Sequence, residues 1–558
     1  MTYSEDTAVL RKARGAFFTP PAIARHIADW AIRSASDRVL EPSAGDAEFM
    51  LAAVARLRGL NHRDLSPVVD GVEIHDYSAC VGRQRVLEAG GTPRITVSDF
   101  FLVEPSPEYD AVIGNPPYIR YQDFTGEARV RSRAAALRAG VALTGLASSW
   151  AAFAVHSALF LKKGGRLGLV LPAELLSVNY AAPVRQFLFD NFKTVDLVLF
   201  DEQVFPEAEA DVVLLQADGF GQGPASHATF RQSRNAGTLG TVSAATRWTP
   251  LDPADKWTGS IVNPNAVEPL QSLKVRGAFT DLEVWGATTL GIVTGNNKFF
   301  TLSPERAKNL GLEDHELLSV SPPGSAHLRG LSLSRPMLNR LGREGRATYL
   351  FKPGAELSQA AQKYVKSGEH AGVNAAYKCR MRKVWYQVPI LEPADLLLTC
   401  MNADTPRLTT NAARARHLNS VHGVYLSADV RMLGRDLLPI ASLNSITLLN
   451  AEMVGRTYGG GILKIEPREA DRWAMPSPAL VKQQEAQLRA LKPSVARLLK
   501  VGRLLDAVAL VDDVLLIGSG LVPDVEVQWV RNAQRFLSRR RTSRGTSSGG
   551  VRMRAMYD

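Results

Sequence analysis

The fold class is decided by residues 109–118, which read Tyr-Asp-Ala-Val-Ile-Gly-Asn-Pro-Pro-Tyr. The apolar run that ends at Gly114 predicts a short buried strand. Neither of the two prolines can continue a sheet ladder or a helix, so the chain should leave the sheet as a rigid extended loop. That loop would present the Asn115 amide, the Pro116 carbonyl and the Tyr118 ring at the carboxyl end of a strand, where open α/β sheets bind their ligands.

A strand, a tight loop and a helix are also predicted earlier in the chain. Residues 38–40 read as the strand, residues 41–49 as a glycine-containing loop (Glu-Pro-Ser-Ala-Gly-Asp-Ala-Glu-Phe), and the apolar residues up to Leu57 as the helix. Such a unit binds nucleotide-like ligands against backbone amides. It lacks the GxGxxG and GK[ST] patterns, which argues against a dinucleotide or a triphosphate as the ligand. Glu41, at the strand end, would face a cationic group.

Two further predicted strands end in acidic residues. Residues 68–74 lead to Glu73, where a carboxylate of this architecture accepts ribose hydroxyls. Residues 94–97 lead to Asp99, which could accept from an adenine amino group while Phe100 covers the ring. Taken singly, each acid is more readily explained as a solvated loop residue. Three acids at successive strand ends, followed by the loop at Asn115, favour a nucleoside site.

The alternation of strands and helices continues to about residue 220. Helices are predicted at 22–32, 148–161 and 182–191, and strands at 166–171, 195–200 and 211–215. This pattern predicts an α/β domain at 1–220 with a mostly parallel, doubly wound sheet. Thr19 is predicted to be the N-cap of the first helix, with Pro20 at its first position. That end could serve as an ordinary capped helix or as a carboxylate-binding site.

The rest of the chain has a different character. Residues 221–250 are rich in Gly, Ser and Ala and are predicted to be a linker. Residues 251–535 are predicted to form a mixed α+β domain, in which basic, amide and aromatic side chains alternate with glycine turns. This composition suits contacts with phosphates and base edges, and it suits an ordinary domain equally. The polar residues 1–14 are predicted to be a mobile arm, and the Arg/Ser/Gly-rich residues 536–558 are predicted to be disordered.

The composition limits which partners and which kinds of site the chain is expected to have. The chain has 558 residues, 45% of them apolar, and a formal charge of +11, which is compatible with a polyanionic partner. Cys80, Cys379 and Cys400 show no paired spacing, so we expect no metal site and no disulfide framework, and a reducing cytoplasm suits them. The sequence shows no signal peptide and no apolar run long enough to cross a bilayer, so a membrane partner is not expected.

In their order, these motifs resemble the γ-class adenine-N6 DNA methyltransferases of type II restriction-modification systems. The resemblance rests on Thr19-Pro20, residues 41–45, Glu73, Asp99 and residues 115–118, and it covers residues 15 to about 215. Residues 291–300, 385–386 and 456–461 resemble the recognition regions of that family more weakly. One departure is Ala47, which stands where the family usually has a second glycine.

The resemblance implies methyl transfer from S-adenosylmethionine to N6 of an adenine that is flipped out of double-stranded DNA. It implies a class I methyltransferase sheet followed by a target-recognition domain. The Asn115 and Pro116 oxygens would bind the amine protons, while Tyr118 and Phe205 would stack on the base. The residues that it implies in cofactor binding are Thr19, Glu41, Ser43, Gly45, Glu73, Asp99 and Phe100. The side chains expected to contact DNA are Lys298, Arg382, Trp385 and Arg456.

The family also implies a restriction-modification context. A partner endonuclease would be encoded separately, because few residues precede Phe17 and those after residue 500 are few and basic.

Two other classes of protein stay open at this point. Protein-glutamine and rRNA-guanine methyltransferases also use Asn-Pro-Pro-Tyr, although they typically lack the Thr-Pro helix start and the long C-terminal region. A non-catalytic DNA-specificity subunit is the binding-module alternative, and it would not need Asn115 and Asp99 together. A labelled-methyl assay on DNA and on protein separates these classes.

Overall fold

The computed structural model describes residues 19–61, 66–202, 204–205, 211–241, 244–250, 252–262, 264–458 and 461–546. These residues form two compact units that divide between residues 261 and 262. The predicted mobile arm at residues 1–14 lies outside the described residues.

The first unit is built on one nine-stranded sheet. Its strands are β1 (Val39–Glu41), β2 (Val68–Glu73), β3 (Thr92–Val97), β4 (Tyr109–Gly114), β5 (Leu161–Pro172), β6 (Thr194–Phe200), β7 (Val212–Asp218), β8 (Ala228–Ser233) and β9 (Thr246–Trp248). Its helices are α1 (Pro21–Ala31), α2 (Glu48–Leu60), α3 (Asp76–Glu88), α4 (Gly126–Arg138), α5 (Ser149–Ala158), α6 (Glu174–Ser177) and α7 (Ala182–Asn191).

The strand order is β3-β2-β1-β4-β5-β7-β6-β8-β9. The five strands from β3 to β5 are parallel, whereas β7 runs antiparallel to both of its neighbours, β5 and β6. The order reverses at β1 and β4, so the carboxyl ends of these two strands flank the crevice in which such sheets bind ligands.

Helices cover both faces of this sheet, as alternate residues of the strands show. In β4, Val112 belongs to one buried cluster, while Ala111 and Ile113 belong to another. In β5, Leu169 and Val170 divide between the same two clusters. Because successive side chains of a strand point to opposite faces, the two clusters lie on opposite sides of the sheet. This confirms the predicted doubly wound α/β architecture.

The linker predicted at residues 221–250 is wrong, and the second domain begins later than residue 251. Strand β8 pairs with β6, and β9 pairs with β8, so both extend the sheet. Trp257 is fully buried and packs against Phe189 and Trp248. Gly221, one of the glycines that suggested a linker, has a positive φ angle in a tight connection instead.

The second unit is a mixed α+β structure with four small sheets. Its strands are β10 (Phe279–Asp281), β11 (Gly286–Leu290), β12 (Thr301–Leu302), β13 (Leu317–Ser319), β14 (Tyr349–Phe351), β15 (Leu396–Thr399), β16 (Met401–Asn402), β17 (Leu408–Thr410), β18 (Val421–Leu426), β19 (Arg456–Tyr458), β20 (Ile462–Lys464) and β21 (Ala474–Pro476).

Its helices are α8 (Pro264–Val275), α9 (Asn297–Phe300), α10 (Pro304–Asn309), α11 (Arg335–Arg343), α12 (Gln359–His370), α13 (Tyr377–Arg380), α14 (Arg431–Ala441), α15 (Ser445–Val454), α16 (Pro467–Asp471), α17 (Pro478–Gln483), α18 (Glu485–Lys500), α19 (Leu504–Asp512) and α20 (Asp524–Thr546).

The disordered tail predicted from residue 536 is wrong as far as residue 546, because α20 continues through it. The Arg541 side chain is buried, and its guanidinium pairs with both carboxylate oxygens of Glu452, at 3.0 and 3.1 Å. An arginine-rich sequence is usually solvated, but here one arginine is held by a buried partner. Residues 547–558 lie outside the described residues.

Within the described part of the chain, no single helix is both long and apolar enough to span a membrane. One pair of helices, α14 and α15, reaches that length and composition together, but the pair is bent by 89°.

Candidate active site

The loop at residues 115–118 leaves β4 and is fastened on both sides. Ser43 Oγ donates to the Asn115 carbonyl at 3.2 Å, which ties the loop to the end of β1. Ser149, in the first turn of α5, donates to the Pro117 carbonyl and accepts from the Ile119 amide at 2.9 Å. Among the described residues, no donor reaches the Pro116 carbonyl, which lies between these two fastened groups. The loop therefore holds one free acceptor on a fixed backbone.

The Asn115 side chain is oriented by two neighbours. Its Nδ2 donates to Thr19 Oγ1 at 3.1 Å, and its Oδ1 accepts from the Tyr118 hydroxyl at 2.6 Å. The same hydroxyl lies 3.0 Å from the Val170 carbonyl of β5. Burial raises the pKa of Tyr118 well above its ordinary value, so the hydroxyl stays a donor. Since it carries one proton, it can serve Asn115 or Val170 but not both at once.

Thr19 is not the N-cap of α1, contrary to the sequence prediction. The helix begins at Pro21, and Pro20 is its N-cap residue. The amides of Ile23 and Ala24 both donate to the Pro20 carbonyl, at 2.9 and 3.4 Å, so the first turn leaves no role for a threonine cap. The Thr19 side chain faces Asn115 instead.

Glu41 is a buried carboxyl group at the end of β1. Only 3% of its surface is exposed, and its Oε2 accepts from the Met50 amide at 3.0 Å. Burial raises the pKa of Glu41 well above its ordinary value, and the nearby charges of Asp46, Glu73 and Glu48 raise it further. A cation placed here would favour the charged form, which fits the predicted contact with the methionine end of a cofactor.

Glu73 holds the glycine loop in place. Its Oε2 accepts from the Gly45 amide and its Oε1 from the His75 amide, each at 2.8 Å. Gly45 has a positive φ of 51°, and nothing lies within 4 Å of where its Cβ would be, so the backbone there is open to a ligand. Each oxygen of Glu73 keeps a second lone pair for a hydroxyl. Directly after Glu73, Ile74 is 63% exposed and could cover a base, a residue that our sequence reading missed.

Asp99 caps the turn after β3. Its Oδ1 accepts from the Phe101 amide at 3.0 Å, and its Oδ2 lies 3.5 Å from the Arg131 guanidinium. Phe100 is 3% exposed and stacks on Phe153 and Phe160 in the core. Covering an adenine would require the Phe100 ring to leave this packing, so that role stays a prediction. The turn after Asp99 directs this ring into the apolar interior, where burial favours it.

Ala47 adopts the conformation for which the resembling family uses glycine. Its φ is 68°, in the left-handed region, and its side chain is fully buried. The Ala47 methyl lies beside Gly82, where an added Cβ would be only 3.2 Å away. The left-handed conformation costs an alanine roughly 1–2 kcal/mol. Alanine in place of glycine at position 47 therefore keeps the backbone conformation of a glycine loop, but this alanine is strained.

Phe205 lies close to the loop but does not offer a ring face. It is 4% exposed within a cluster against which Tyr118 also packs. Stacking on a base would require it to become exposed, so that role stays a prediction, as does the role of the half-buried Tyr118.

Of the four predicted DNA contacts, only Lys298 presents an exposed side chain. The Arg382 guanidinium donates to the carbonyls of Val293 and Thr294, at 2.8 and 2.7 Å. Trp385 packs among aromatic rings and donates to Glu369 at 3.1 Å.

Arg456 pairs with Glu466 at 3.2 Å and lies 3.8 Å from Glu469. The side chains of Arg382, Trp385 and Arg456 are therefore each bound to groups of their own unit, and their contact with DNA stays a prediction.

Two protein families match this chain, each over a separate segment. The family described as "Eco57I restriction-modification methylase" matches residues 84–205, which include the loop at Asn115. The family described as "Type II methyltransferase M.Eco57I, C-terminal domain" matches residues 254–516, which make up most of the second unit.

Similar proteins span most of the chain. The type II methyltransferase M.XamI of Xanthomonas campestris pv. amaranthicola is 27% identical over 83% of this chain and 85% of its own. The type II methyltransferase M.AccI of Acinetobacter calcoaceticus is 22% identical over 85% of this chain and 87% of its own. Among solved structures, the type IIL restriction-modification enzyme MmeI in complex with DNA covers 94% of this chain and 75% of its own, with a TM-score of 0.56 and 10% identity. The last likeness shows a shared fold and supports the predicted fold class.

Proposed function

The chain belongs to the DNA methyltransferases of type II restriction-modification systems, and from that premise we propose that it methylates N6 of an adenine flipped out of double-stranded DNA. We also propose that this methylation is the modification half of such a system, with a separately encoded endonuclease. The observation that carries the proposal is the pair of acceptors in the loop after β4. One is the Asn115 amide oxygen, and the other is the free Pro116 carbonyl.

S-adenosylmethionine is the methyl donor of this family, and the residues at the ends of β1, β2 and β3 fit it. Gly45 leaves its backbone open, Glu73 keeps lone pairs for hydroxyls, and the burial of Glu41 favours a cation as its partner. Asp99 retains acceptor capacity beside its contact with the Phe101 amide. When bound, the donor supplies a sulfonium methyl group.

The two acceptors answer the chemical difficulty of the reaction. The exocyclic amine of adenine is a poor nucleophile, because its lone pair is delocalised into the ring. Binding its two protons at Asn115 Oδ1 and at the Pro116 carbonyl favours a pyramidal nitrogen with an available lone pair. Each preorganised hydrogen bond that strengthens at the transition state contributes roughly 3 kcal/mol. The amine held by these two acceptors would receive the methyl group that the bound donor supplies, and would then lose one proton to solvent.

Val170 explains how Asn115 becomes available to the base. In the free protein the Tyr118 hydroxyl donates to Asn115 Oδ1, 2.6 Å away. When the amine arrives, the hydroxyl can donate to the Val170 carbonyl at 3.0 Å instead. Asn115 thereby exchanges one donor for another while Thr19 continues to hold its Nδ2. A base within a duplex cannot reach this loop geometry, so flipping is part of the proposal.

The test is a labelled-methyl assay with three substrates: duplex DNA, ribosomal RNA and total protein. The proposal expects label in DNA only, released as N6-methyladenosine after digestion to nucleosides. Label in protein or RNA would instead assign the Asn-Pro-Pro-Tyr loop to a glutamine or guanine methyltransferase. DNA binding without any transfer would indicate a specificity subunit.

A further inference from the structure

A short segment of the second unit displays apolar side chains among cations. Residues 377–383 read Tyr-Lys-Cys-Arg-Met-Arg-Lys, and we name them the basic segment. Tyr377 is 63% exposed and Met381 is 69% exposed. The segment begins with the single turn α13, so side chains four positions apart lie on the same side of it. The exposed cations Lys378, Arg380 and Lys383 flank these two apolar side chains.

The backbone of the basic segment is held rigidly by its two remaining residues. Arg382 donates to the carbonyls of Val293, Thr294 and Trp385, at 2.8, 2.7 and 3.2 Å. Cys379 is fully buried, and its thiol lies 3.8 Å from the same Thr294 carbonyl. Two residues thus face inward as anchors while five face solvent. Side chains displayed from a fixed backbone lose less entropy when they bind a partner.

A neighbouring turn adds to the same surface. An added Cβ at Gly295 would lie 3.1 Å from Cys379 Sγ and from the Lys378 Cβ, so this turn packs directly on the basic segment. The exposed Lys298 follows it in α9.

The sequence around these residues carries no acidic side chain from 284 to 304 or from 370 to 391. The nearest acid along the chain, Glu369, is occupied by the Trp385 indole at 3.1 Å. Within these two stretches of sequence, the charged side chains are therefore all cations.

We propose that the basic segment, with Lys298, is the surface through which the second unit grips duplex DNA. The cations contact phosphates, and Tyr377 and Met381 press against the bases. This deepens the proposed function and rests on it. Phosphate contacts draw on Lys and Arg, and apolar wedges in DNA-binding proteins unstack base steps at a cost that added contacts repay. Arg382 is a positioning residue in this account, because its guanidinium is used by the protein itself.

The first test separates these cations from net charge. The variant Lys378→Ala/Arg380→Ala/Lys383→Ala is compared with the control Lys308→Ala/Arg497→Ala/Lys500→Ala, which removes three exposed cations elsewhere in the same unit. Binding of a fluorescent shuffled-sequence duplex is measured over a series of salt concentrations. We expect the first variant to reduce the slope of log affinity against log salt by roughly 2–3, and the control to leave it near the parent value. Equal slopes for the two variants would overturn the proposal.

The second test concerns the apolar pair. Tyr377→Ala and Met381→Ala are compared with Met432→Ala, which removes a methionine that is 80% exposed on α14. The probe is a duplex that carries the site methylated by the parent chain, as read by sequencing, beside its shuffled counterpart. We expect the first two variants to bind the site duplex roughly 5- to 100-fold more weakly, and the control to bind like the parent. Parent-like affinity in both test variants would refute the base contact.

The assignment of the DNA-contacting surface and the proposed methyltransferase activity can fail separately. If the parent chain methylates DNA but the basic-segment variants bind like the parent, the surface assignment fails and the methyltransferase stands. If the parent methylates no DNA, the proposed function itself fails. Cofactor affinity and the unfolding midpoint should match the parent in every variant. If an alanine variant loses stability, the glutamine variant of the same residue is measured instead.

Discussion

The Asn115 amide is controlled by side chains that come from distant parts of the chain. Thr19 is 96 residues away and accepts from its nitrogen, and Tyr118 donates to its oxygen. An amide rotated by half a turn would offer hydrogens where the target amine needs an acceptor. The neighbours therefore fix which end of the amide meets the base, and this places Thr19 in a positioning role beside the cofactor role that the family resemblance implies.

Replacing Thr19 distinguishes these two roles. Thr19→Val keeps the shape but removes the acceptor, so it leaves the Asn115 nitrogen unpaired at a cost of roughly 1–1.5 kcal/mol. We expect single-turnover methyl transfer to slow about 10-fold with cofactor affinity unchanged, and Thr19→Ser to restore the rate. The reverse pattern, with weaker cofactor binding at an unchanged rate, would show that Thr19 only binds the methionine end of the cofactor.

Glu41 makes stability depend on pH in a defined direction. Its pKa in the folded protein lies above the unfolded value, so the folded state keeps a proton that the unfolded state releases. The stability contributed by this group is complete below the ordinary glutamate pKa, and it is lost as pH rises towards the raised pKa. We expect Glu41→Gln to flatten that loss, so that the variant gains on the parent in melting temperature as pH rises from the ordinary glutamate pKa of 4.5 into the neutral range. Parallel melting curves across this range would contradict the buried, protonated carboxyl.

At the scale of elements, the glycine loop stores strain at Ala47. Ala47→Gly relieves a left-handed alanine, worth roughly 1–2 kcal/mol, and loses one buried methyl, worth roughly 0.8 kcal/mol. The matched control is Ala53→Gly, which removes an equally buried methyl from the middle of α2. The control should cost roughly 1.5–2 kcal/mol, since glycine also weakens a helix. We expect Ala47→Gly to leave the free energy of unfolding in urea unchanged or to raise it. An equal loss of unfolding free energy in Ala47→Gly and Ala53→Gly would show that Ala47 is not strained.

Some strands could be predicted from the local sequence, whereas the direction of one strand could not. Strands β1 to β5 were predicted because apolar runs ended at Gly, Pro or acidic residues, and each run pairs as expected. The antiparallel direction of β7 carries no local signal, because strand direction is set by pairing with β5 and β6. The burial of the Phe100 ring was not predicted, because polarity patterns do not reveal which way a turn directs a ring.

At the scale of the whole molecule, the boundary between the units predicts which fragment folds. Arg185 is buried, and its guanidinium donates to the Ala254 carbonyl at 2.7 and 3.1 Å. A fragment ending at residue 240 lacks that carbonyl, strand β9 and the buried Trp257, whereas one ending at 261 keeps all three. We expect the longer fragment to bind S-adenosylmethionine without sequence-specific DNA binding. The shorter fragment should unfold at a lower urea concentration, and equal midpoints would contradict this boundary.

The sequence indicated that the second unit would be basic and mixed in structure, but not which side chains it presents. Arg382, Trp385 and Arg456 were chosen by residue type, and the folded chain uses them for its own carbonyls, rings and carboxylates. The exposure of Tyr377 and Met381 appears only when the anchors beside them are known. Long-range pairing decides such outcomes, and a local pattern does not record it.

In the proposed function, Asn115 and Pro116 hold an adenine amine of DNA for methylation. Long-read sequencing of DNA from cells that express the chain tests it most directly, with Asn115→Ala as the matched control. We expect N6-methyladenine at nearly every copy of one sequence motif for the parent, and a loss of two or more orders of magnitude in rate for the variant, roughly 3 kcal/mol. Modified cytosine, unmodified DNA, or equal modification by the Asn115 variant would contradict it.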